Sequence, residues 1–170
     1  FLMALALVAP LALSAKADSP ALPAAATADQ VTTSKLVYGL LSDSRYAYRP
    51  RALDEATSKD VFKRYLETLD GGKQYFTQAD VARFAPFEAN IANAIRGGEL
   101  EPAFQVFAVY KQRVGERVAY ARKLLRQEPD FTTDERFEYD RKKVPWAASN
   151  AELDELWRKS VKNDSVSYTH

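Results

Sequence analysis

The sequence contains no cysteine and a single histidine, His170, at its last position. The absence of cysteine excludes disulfides, zinc–thiolate sites and cysteine nucleophiles. A histidine at a chain terminus has no second group to hold it in place, so Ser-His-Asp triads, histidine general bases and histidine metal sites are excluded as well. We therefore expect no metal site and no bound cofactor.

The numbers of basic and acidic residues are nearly equal, and the sequence has no glycine-rich phosphate loop. Its formal net charge is +1, which argues against a strong electrostatic attraction to nucleic acid. A short basic run, Arg141-Lys142-Lys143, is offset by Glu138 and Asp140. The glycine pairs Gly71-Gly72 and Gly97-Gly98 are isolated, as is typical of helix ends. We therefore expect no nucleic-acid partner.

One long apolar run is present, from Leu2 to Leu13. It is too short to span a membrane and is typical of the hydrophobic region of a signal peptide. The Ala15-Lys16-Ala17 stretch that follows has small residues at the two positions that a signal peptidase reads. We expect cleavage after Ala17, with Ala24-Ala25-Ala26 as a weaker alternative. A buried amphipathic helix is disfavoured because the run has no polar face.

The regions around the predicted signal peptide, residues 1–17, carry further expectations. The chain opens on Phe1 without a basic region before the apolar run, so we expect the true start to lie upstream. Residues 18–28 are rich in alanine and proline and are predicted to be a linker. No later stretch is apolar enough to span a membrane, so we expect no membrane association after the leader is cleaved.

Residues 29–164 show the three-to-four-residue spacing of amphipathic helices, and no stretch alternates as a strand would. We therefore predict one all-α domain of about five helices. Pro86 is expected either to kink the third helix or to start a separate segment. The predicted helices are Asp29 to about Ser42, Asp54–Leu69, Thr77 to Arg96-Gly97-Gly98, about Pro102 to before Pro129, and a fifth after Ser149.

Helix caps and buried faces can also be assigned from residue type and spacing. The expected start signals are an Asp29 N-cap and two capping boxes, Thr77 with Asp80 and Ser149 with Glu152. Gly71-Gly72 is expected to supply the left-handed residue that ends the second helix. The expected apolar faces are Val37, Leu40 and Leu41; Val61, Phe62, Tyr65, Leu66 and Leu69; Phe104, Phe107, Val114, Val118, Ala121 and Leu125; and Leu153, Leu156 and Trp157. The expected solvated face of the fourth helix is Arg113, Glu116, Arg117 and Lys123.

Serine–lysine chemistry is the nucleophilic arrangement that these residue types still permit, and it needs a buried neutral lysine beside the serine. Ser34-Lys35, Ser58-Lys59 and Ser160 with Lys162 are all expected on exposed helix surface. The acidic pairs Asp54-Glu55 and Asp154-Glu155 lie near helix starts, where they complement the helix dipole. We therefore predict no catalytic, cofactor-binding or metal-binding residue.

The two tryptophans, Trp146 and Trp157, have two interpretations. Either side chain could anchor a peptide or a partner helix. Tryptophan is also a large core residue, and packing within the domain is the favoured interpretation.

Three segments carry a resemblance to a known family: Tyr65–Asp80, Asp140–Trp146, and Glu152–Lys159 followed by Val161-Lys162-Asn163-Asp164. Together they resemble the amino-terminal domain of tail-specific proteases, the carboxy-terminal processing peptidases. The similarity extends from about Leu36 to Asp164. The family commonly has proline after the aspartate where this chain has Gly71, and residues 165–170 form a tail that does not match.

The resemblance implies a helical scaffold in front of a PDZ domain and a protease domain with a serine nucleophile and a lysine base. It implies a periplasmic location and, as a further partner, a periplasmic adaptor protein. No catalytic residue is carried over, since no position here matches the catalytic motif, and we expect a truncation or frameshift after Asp164. The alternative is a stand-alone exported helical binding module with no protease; the coding sequence beyond His170 distinguishes the two.

Overall fold

The computed structural model describes residues 23–167, which form six α-helices and no strand beyond one isolated bridge between Thr77 and Ala147. The predicted all-α class is confirmed, with one helix more than the five expected. The helices are α1 (Ala28–Ser42), α2 (Glu55–Asp70), α3 (Gln78–Glu88), α4 (Ile91–Gly97), α5 (Glu101–Leu124) and α6 (Asn150–Ser167).

The extra helix arises because the predicted third helix is divided. Pro86 lies inside α3, and the helix ends two residues later at Glu88. Proline lacks an amide donor and weakens the helix around it. Gly98 ends α4 with a left-handed φ of 73°, as expected for a glycine pair at a helix end. A Cβ at this position would lie 2.6 Å from the Val31 side chain of α1, so close helix packing also requires glycine here.

The capping predictions were right for α3 and wrong for α1. The Thr77 hydroxyl accepts a hydrogen bond from the Asp80 amide at 3.2 Å, and the Asp80 carboxylate accepts from the Thr77 amide at 3.0 Å. The N-cap of α1 is Thr27, which forms a reciprocal capping box with Gln30. Asp29 lies in the first turn instead, where its charge complements the helix dipole.

The α6 helix begins with the predicted serine and crosses the predicted domain boundary. The Ser149 hydroxyl accepts a hydrogen bond from the Glu152 amide at 3.3 Å, while the Glu152 carboxylate accepts from the Ala148 amide rather than from Ser149. The helix continues through Ser167, past Asp164. The separation of residues 165–170 as a tail stays a prediction.

The hydrophobic core lies between α2, α3, α4 and α5 and includes the segment between α2 and α3. Phe76 and Phe84 are completely buried, and their rings meet edge to face with centroids 5.5 Å apart. The face predicted for α2 is confirmed, since Phe62 and Leu66 are buried and its other members pack against the core. The buried core residues are Phe62, Leu66, Phe76, Phe84, Ile91 and Val106.

The predicted orientation of α5 was wrong. Val106 is its buried apolar residue, whereas Val118 and Leu125 of the predicted stripe are 39% and 66% exposed. Arg113 and Arg117, which were expected in solvent, face the domain interior, and Arg117 is only 7% exposed. The helix is therefore rotated so that two arginines share its buried side with apolar residues.

The predicted apolar stripe of α1 is not buried among the described residues. The helix packs on α4 through Val31, Ser34 and Tyr38, and the Ser34 hydroxyl donates to the Ile95 carbonyl at 2.8 Å. Val37, Leu40 and Leu41 are between 43% and 55% exposed.

Several expectations lie outside the described residues. These are the signal peptide at 1–17, positions 18–22 of the linker, and His170. Within residues 23–167, none of the helices combines the length and the apolar character needed to cross a membrane.

Candidate functional site

Asp70, the last residue of α2, gathers the hydrogen-bond donors of the turn that follows it. Its side chain is 2% exposed. One carboxylate oxygen accepts from the Gln74 amide at 2.7 Å, and the other accepts from the amides of Tyr75 at 3.2 Å and Phe76 at 3.0 Å. The second oxygen also accepts from Nε1 of Trp146 at 3.0 Å. We call Asp70, Gln74, Tyr75, Phe76 and Trp146 the Asp70 cluster.

The backbone turns sharply at Lys73 to bring these amides together. Lys73 has a φ of 54°, whereas Gly71 stays right-handed with a φ of −62°. The prediction that the glycine pair supplies the left-handed residue was therefore wrong. A left-handed conformation is unfavourable for lysine. The side chain of Lys73 is buried, and its Nζ lies 3.7 Å from the centroid of the Trp146 ring in a cation–π contact that stabilises this conformation.

The segment around Trp146 docks on this turn through its backbone as well. The amide of Gln78 donates to the Ala147 carbonyl at 2.9 Å, and its side-chain amide donates to the Trp146 carbonyl at 2.9 Å. Nε of Arg141 donates to the Gly72 carbonyl at 3.2 Å. The two segments that are far apart in sequence are thus joined side by side.

The α6 helix completes the arrangement through Trp157. Its Nε1 donates to the Gln74 carbonyl at 2.8 Å, and its ring lies 5.8 Å from that of Tyr75. Both tryptophans therefore pack within the domain, as the favoured interpretation held. All three segments that carry the family resemblance meet at the turn after α2.

This geometry indicates that the Asp70 carboxylate has a structural role and not a catalytic one. A general base has to reach a proton on a substrate, but both oxygens of this buried carboxylate already accept from fixed donors. A carboxylate that accepts several backbone hydrogen bonds organises the chain around it, as an N-cap does at a helix start.

Two ion pairs attach α5 to its neighbours. Arg113 donates from Nε and Nη2 to the two oxygens of Asp80, at 2.9 and 2.8 Å. Burial raises the pKa of Asp80, but the hydrogen bonds from Arg113 and Thr77 outweigh it, so the pKa of this carboxyl lies below its usual value. Arg117 pairs with Asp154 of α6. These contacts explain why two arginines occupy the buried side of α5.

A further set of ion pairs attaches the connection between α5 and α6 to α6. Glu135 in this connection accepts hydrogen bonds from Arg158 at 3.1 Å and from Lys162 at 2.7 Å. The Arg158 hydrogen bonds, followed by the one from Lys162, lower the pKa of Glu135 to about 2.

A cleft of about 350 Å³ lies beside this connection, against α6. The cleft is lined by equal numbers of basic and acidic side chains: Arg136, Arg141 and Lys159, and Glu138, Glu152 and Glu155.

The pairing of Glu135 predicts an acid-sensitive attachment. The pKa in the folded protein, about 2, is below the ordinary 4.5, so the folded state binds fewer protons at this site. The stabilisation is complete above pH 4.5 and is lost as the pH falls towards 2. We expect carboxyl NMR to show Glu135 titrating near 2 and the connection to loosen in the same range. Glu135→Gln should remove this low-pH step, and titration of Glu135 near 4.5 would contradict the pairing.

The serine–lysine candidates do not form pairs. Ser58 was expected at the surface but is 1% exposed, and its hydroxyl accepts from the Ala92 amide at 3.3 Å where α2 meets α4. Its sequence neighbour Lys59 points to Glu55 at 2.8 Å in solvent. The burial of Ser58 follows from its position on the Phe62 side of α2, four residues earlier, which the periodicity of that helix indicates.

The acidic candidates are each engaged in a local contact. Asp54 caps α2 by accepting from the Thr57 amide at 2.8 Å, and Asp154 pairs with Arg117. Glu155 pairs with Arg158 at 2.8 Å.

Across residues 23–167, no group of three His, Cys, Asp or Glu side chains lies close enough together to hold a metal ion. Sequence reasoning missed the role of Asp70, although an aspartate that ends a helix before two glycines is a recognisable turn signal.

Comparison with known proteins finds a matching family model and a related protein. A family model described as Tail specific protease N-terminal domain matches residues 40–170. The chain is 30% identical over 152 residues to the Tail-specific protease of Haemophilus influenzae. That match covers 89% of this chain but 21% of the relative, so the chain spans about a fifth of the length of the curated protein it matches.

Proposed function

This chain belongs to the tail-specific protease N-terminal domain family, and from that membership we propose that it is the amino-terminal helical scaffold of a periplasmic carboxy-terminal processing serine endopeptidase. In this proposal the domain carries no catalytic residue of its own. Its partners are the PDZ and protease domains of the parent chain and a periplasmic adaptor protein. The apolar run at Leu2–Leu13 supports export.

The proposal is supported by the position of the three segments that resemble the family. They meet in and around the Asp70 cluster, and their polar groups are engaged in bonds within the domain. Side chains committed to a buried network in this way specify a fold. A domain whose signature residues are used for folding suits a scaffold, with the chemistry carried by another part of the protein.

The scaffold proposal predicts that the 170-residue chain alone hydrolyses no peptide bond. The purified chain would be incubated with an unfolded protein that ends in nonpolar residues, and the products followed by mass spectrometry. The parent protein, read from the coding sequence beyond His170, serves as the positive control and should cleave the same substrate. Cleavage by the short chain that disappears on Ser34→Ala, Ser58→Ala or Ser160→Ala would overturn the proposal, as would a parent frame without a protease domain.

A further inference from the structure

Four large apolar side chains of α1 are exposed, and we call them the outer surface of α1. They are Leu36, Val37, Leu40 and Leu41, with exposed fractions of 61%, 43%, 55% and 53%. The α4 contact is made by Val31, Ser34 and Tyr38, which meet Gly98, Ile95 and Arg96. Leu36 and Leu40 point away from this contact, and Leu41, seven residues after Ser34, lies at its edge. Exposed apolar side chains on the open side of a helix mark a surface that contacts another layer.

The loop after α1 extends this surface. Its chain folds back on the helix, since the Arg51 amide donates to the Leu41 carbonyl at 3.0 Å. Two tyrosines on the loop are open, Tyr46 at 67% and Tyr48 at 97%. Tyrosine and arginine are enriched in protein interfaces, and a contiguous exposed apolar patch marks an interaction site.

The loop also gives the surface a positive border. Residues 43–51 contain three arginines and one acidic residue, Asp43, which is paired with Arg45 at 2.6 Å. Arg49 and Arg51 are exposed. The surface therefore fits an apolar ridge bordered by acidic side chains. A second copy of this chain would instead bring two positive borders together.

We propose that the outer surface of α1 docks on the part of the parent polypeptide that follows this domain. The inference rests on the proposed function. The relative extends far beyond the matched region, and a match of 152 of the 170 residues necessarily includes α1. The segment that forms α1 is thus aligned with part of the longer relative.

The size of the surface favours a tethered partner over a free one. A stable interface between separate proteins uses about 20–30 residues on each side, many more than the four aliphatic side chains and two tyrosines here. A partner on the same chain is present at an effective concentration of about millimolar, so a smaller patch is enough to hold it.

Single-cysteine labelling tests this inference, because the 170-residue chain has no cysteine of its own. Leu40→Cys reports on the outer surface, and Lys123→Cys, on the exposed end of α5, is the matched control. Each variant would be made in the short chain and in the full parent protein. Maleimide labelling at the introduced position would be followed by peptide mass spectrometry, with circular dichroism confirming that each variant is folded.

We expect Leu40→Cys to react rapidly in the short chain and at least about tenfold more slowly in the parent, since each factor of ten corresponds to 1.4 kcal/mol of docking free energy. Lys123→Cys should react at the same rate in both. Equal labelling of Leu40→Cys in the two proteins would overturn the docking inference while leaving the scaffold proposal intact. Protection of Leu40→Cys in the short chain that increases with protein concentration would assign the surface to a second copy. A coding sequence without a downstream protease would overturn both proposals.

Discussion

Replacing Asp70 by alanine is expected to destabilise the domain by about 3–5 kcal/mol. The change removes the acceptor for the amides of Gln74, Tyr75 and Phe76 and for the indole N–H of Trp146. Buried donors that lose their acceptor keep their desolvation cost, which is about 1–3 kcal/mol for each group left unpaired. Urea unfolding followed by circular dichroism measures the loss.

Asp60→Ala is the matched control for Asp70→Ala. Asp60 lies on the same helix, α2, and is exposed, so its removal should change the free energy of unfolding by less than about 0.5 kcal/mol. Equal small effects at Asp60 and Asp70 would mean that the Asp70 carboxylate does not organise the turn.

The second large effect is expected at Arg113. Arg113→Ala removes both hydrogen bonds that reach Asp80 from α5 and leaves a carboxylate that is only 6% exposed without its counter-ion. Breaking a buried ion pair from one side costs about 3–5 kcal/mol because the remaining charge stays buried. We expect a loss at the lower end of that range, since Asp80 keeps its hydrogen bonds from Thr77.

Two further variants show whether the effect at Arg113 depends on its charge alone or on its two-pronged contact with Asp80. Arg113→Lys retains the positive charge but not the two-pronged contact, so it should recover part of the stability. Arg122→Ala, on the exposed side of α5, should have little effect. If Arg113→Ala and Arg122→Ala behaved alike in urea unfolding, Arg113 would belong to the solvated face that its charge first suggested.

The helices were predictable where the signal is local. The Thr77–Asp80 capping box, the apolar face of α2 and the glycine stop at Gly98 each depend on residues within one or two turns. Local hydrogen bonding and steric limits decide these features, so the sequence pattern is sufficient for them. The prediction of Asp29 as the N-cap of α1 was wrong by two residues, since the cap is Thr27; helix ends commonly shift by one or two residues.

The burial of charged residues could not be predicted in the same way. Arg113 faces inward because it binds Asp80, which lies 33 residues earlier on another helix. Arg117 faces inward because it binds Asp154, which lies 37 residues later. The periodicity of α5 predicted one apolar face and one solvated face, and it cannot show that arginines on the charged face find carboxylate partners in the fold. The Asp70 cluster likewise depends on Trp146, 76 residues away. The resemblance picked out these segments, and the fold shows why they belong together.

The most direct test of the central claim follows the indole proton of Trp146 in an Asp70→Asn variant. The chain has two tryptophans, so its ¹⁵N spectrum contains two indole signals that are easily assigned. If Asp70 joins the signature segments, hydrogen exchange at the Trp146 indole and the Phe76 amide should accelerate far more than at the Val106 amide in α5. Equal acceleration at all three sites, or none at Trp146, would contradict the claim that this carboxylate holds the two segments together.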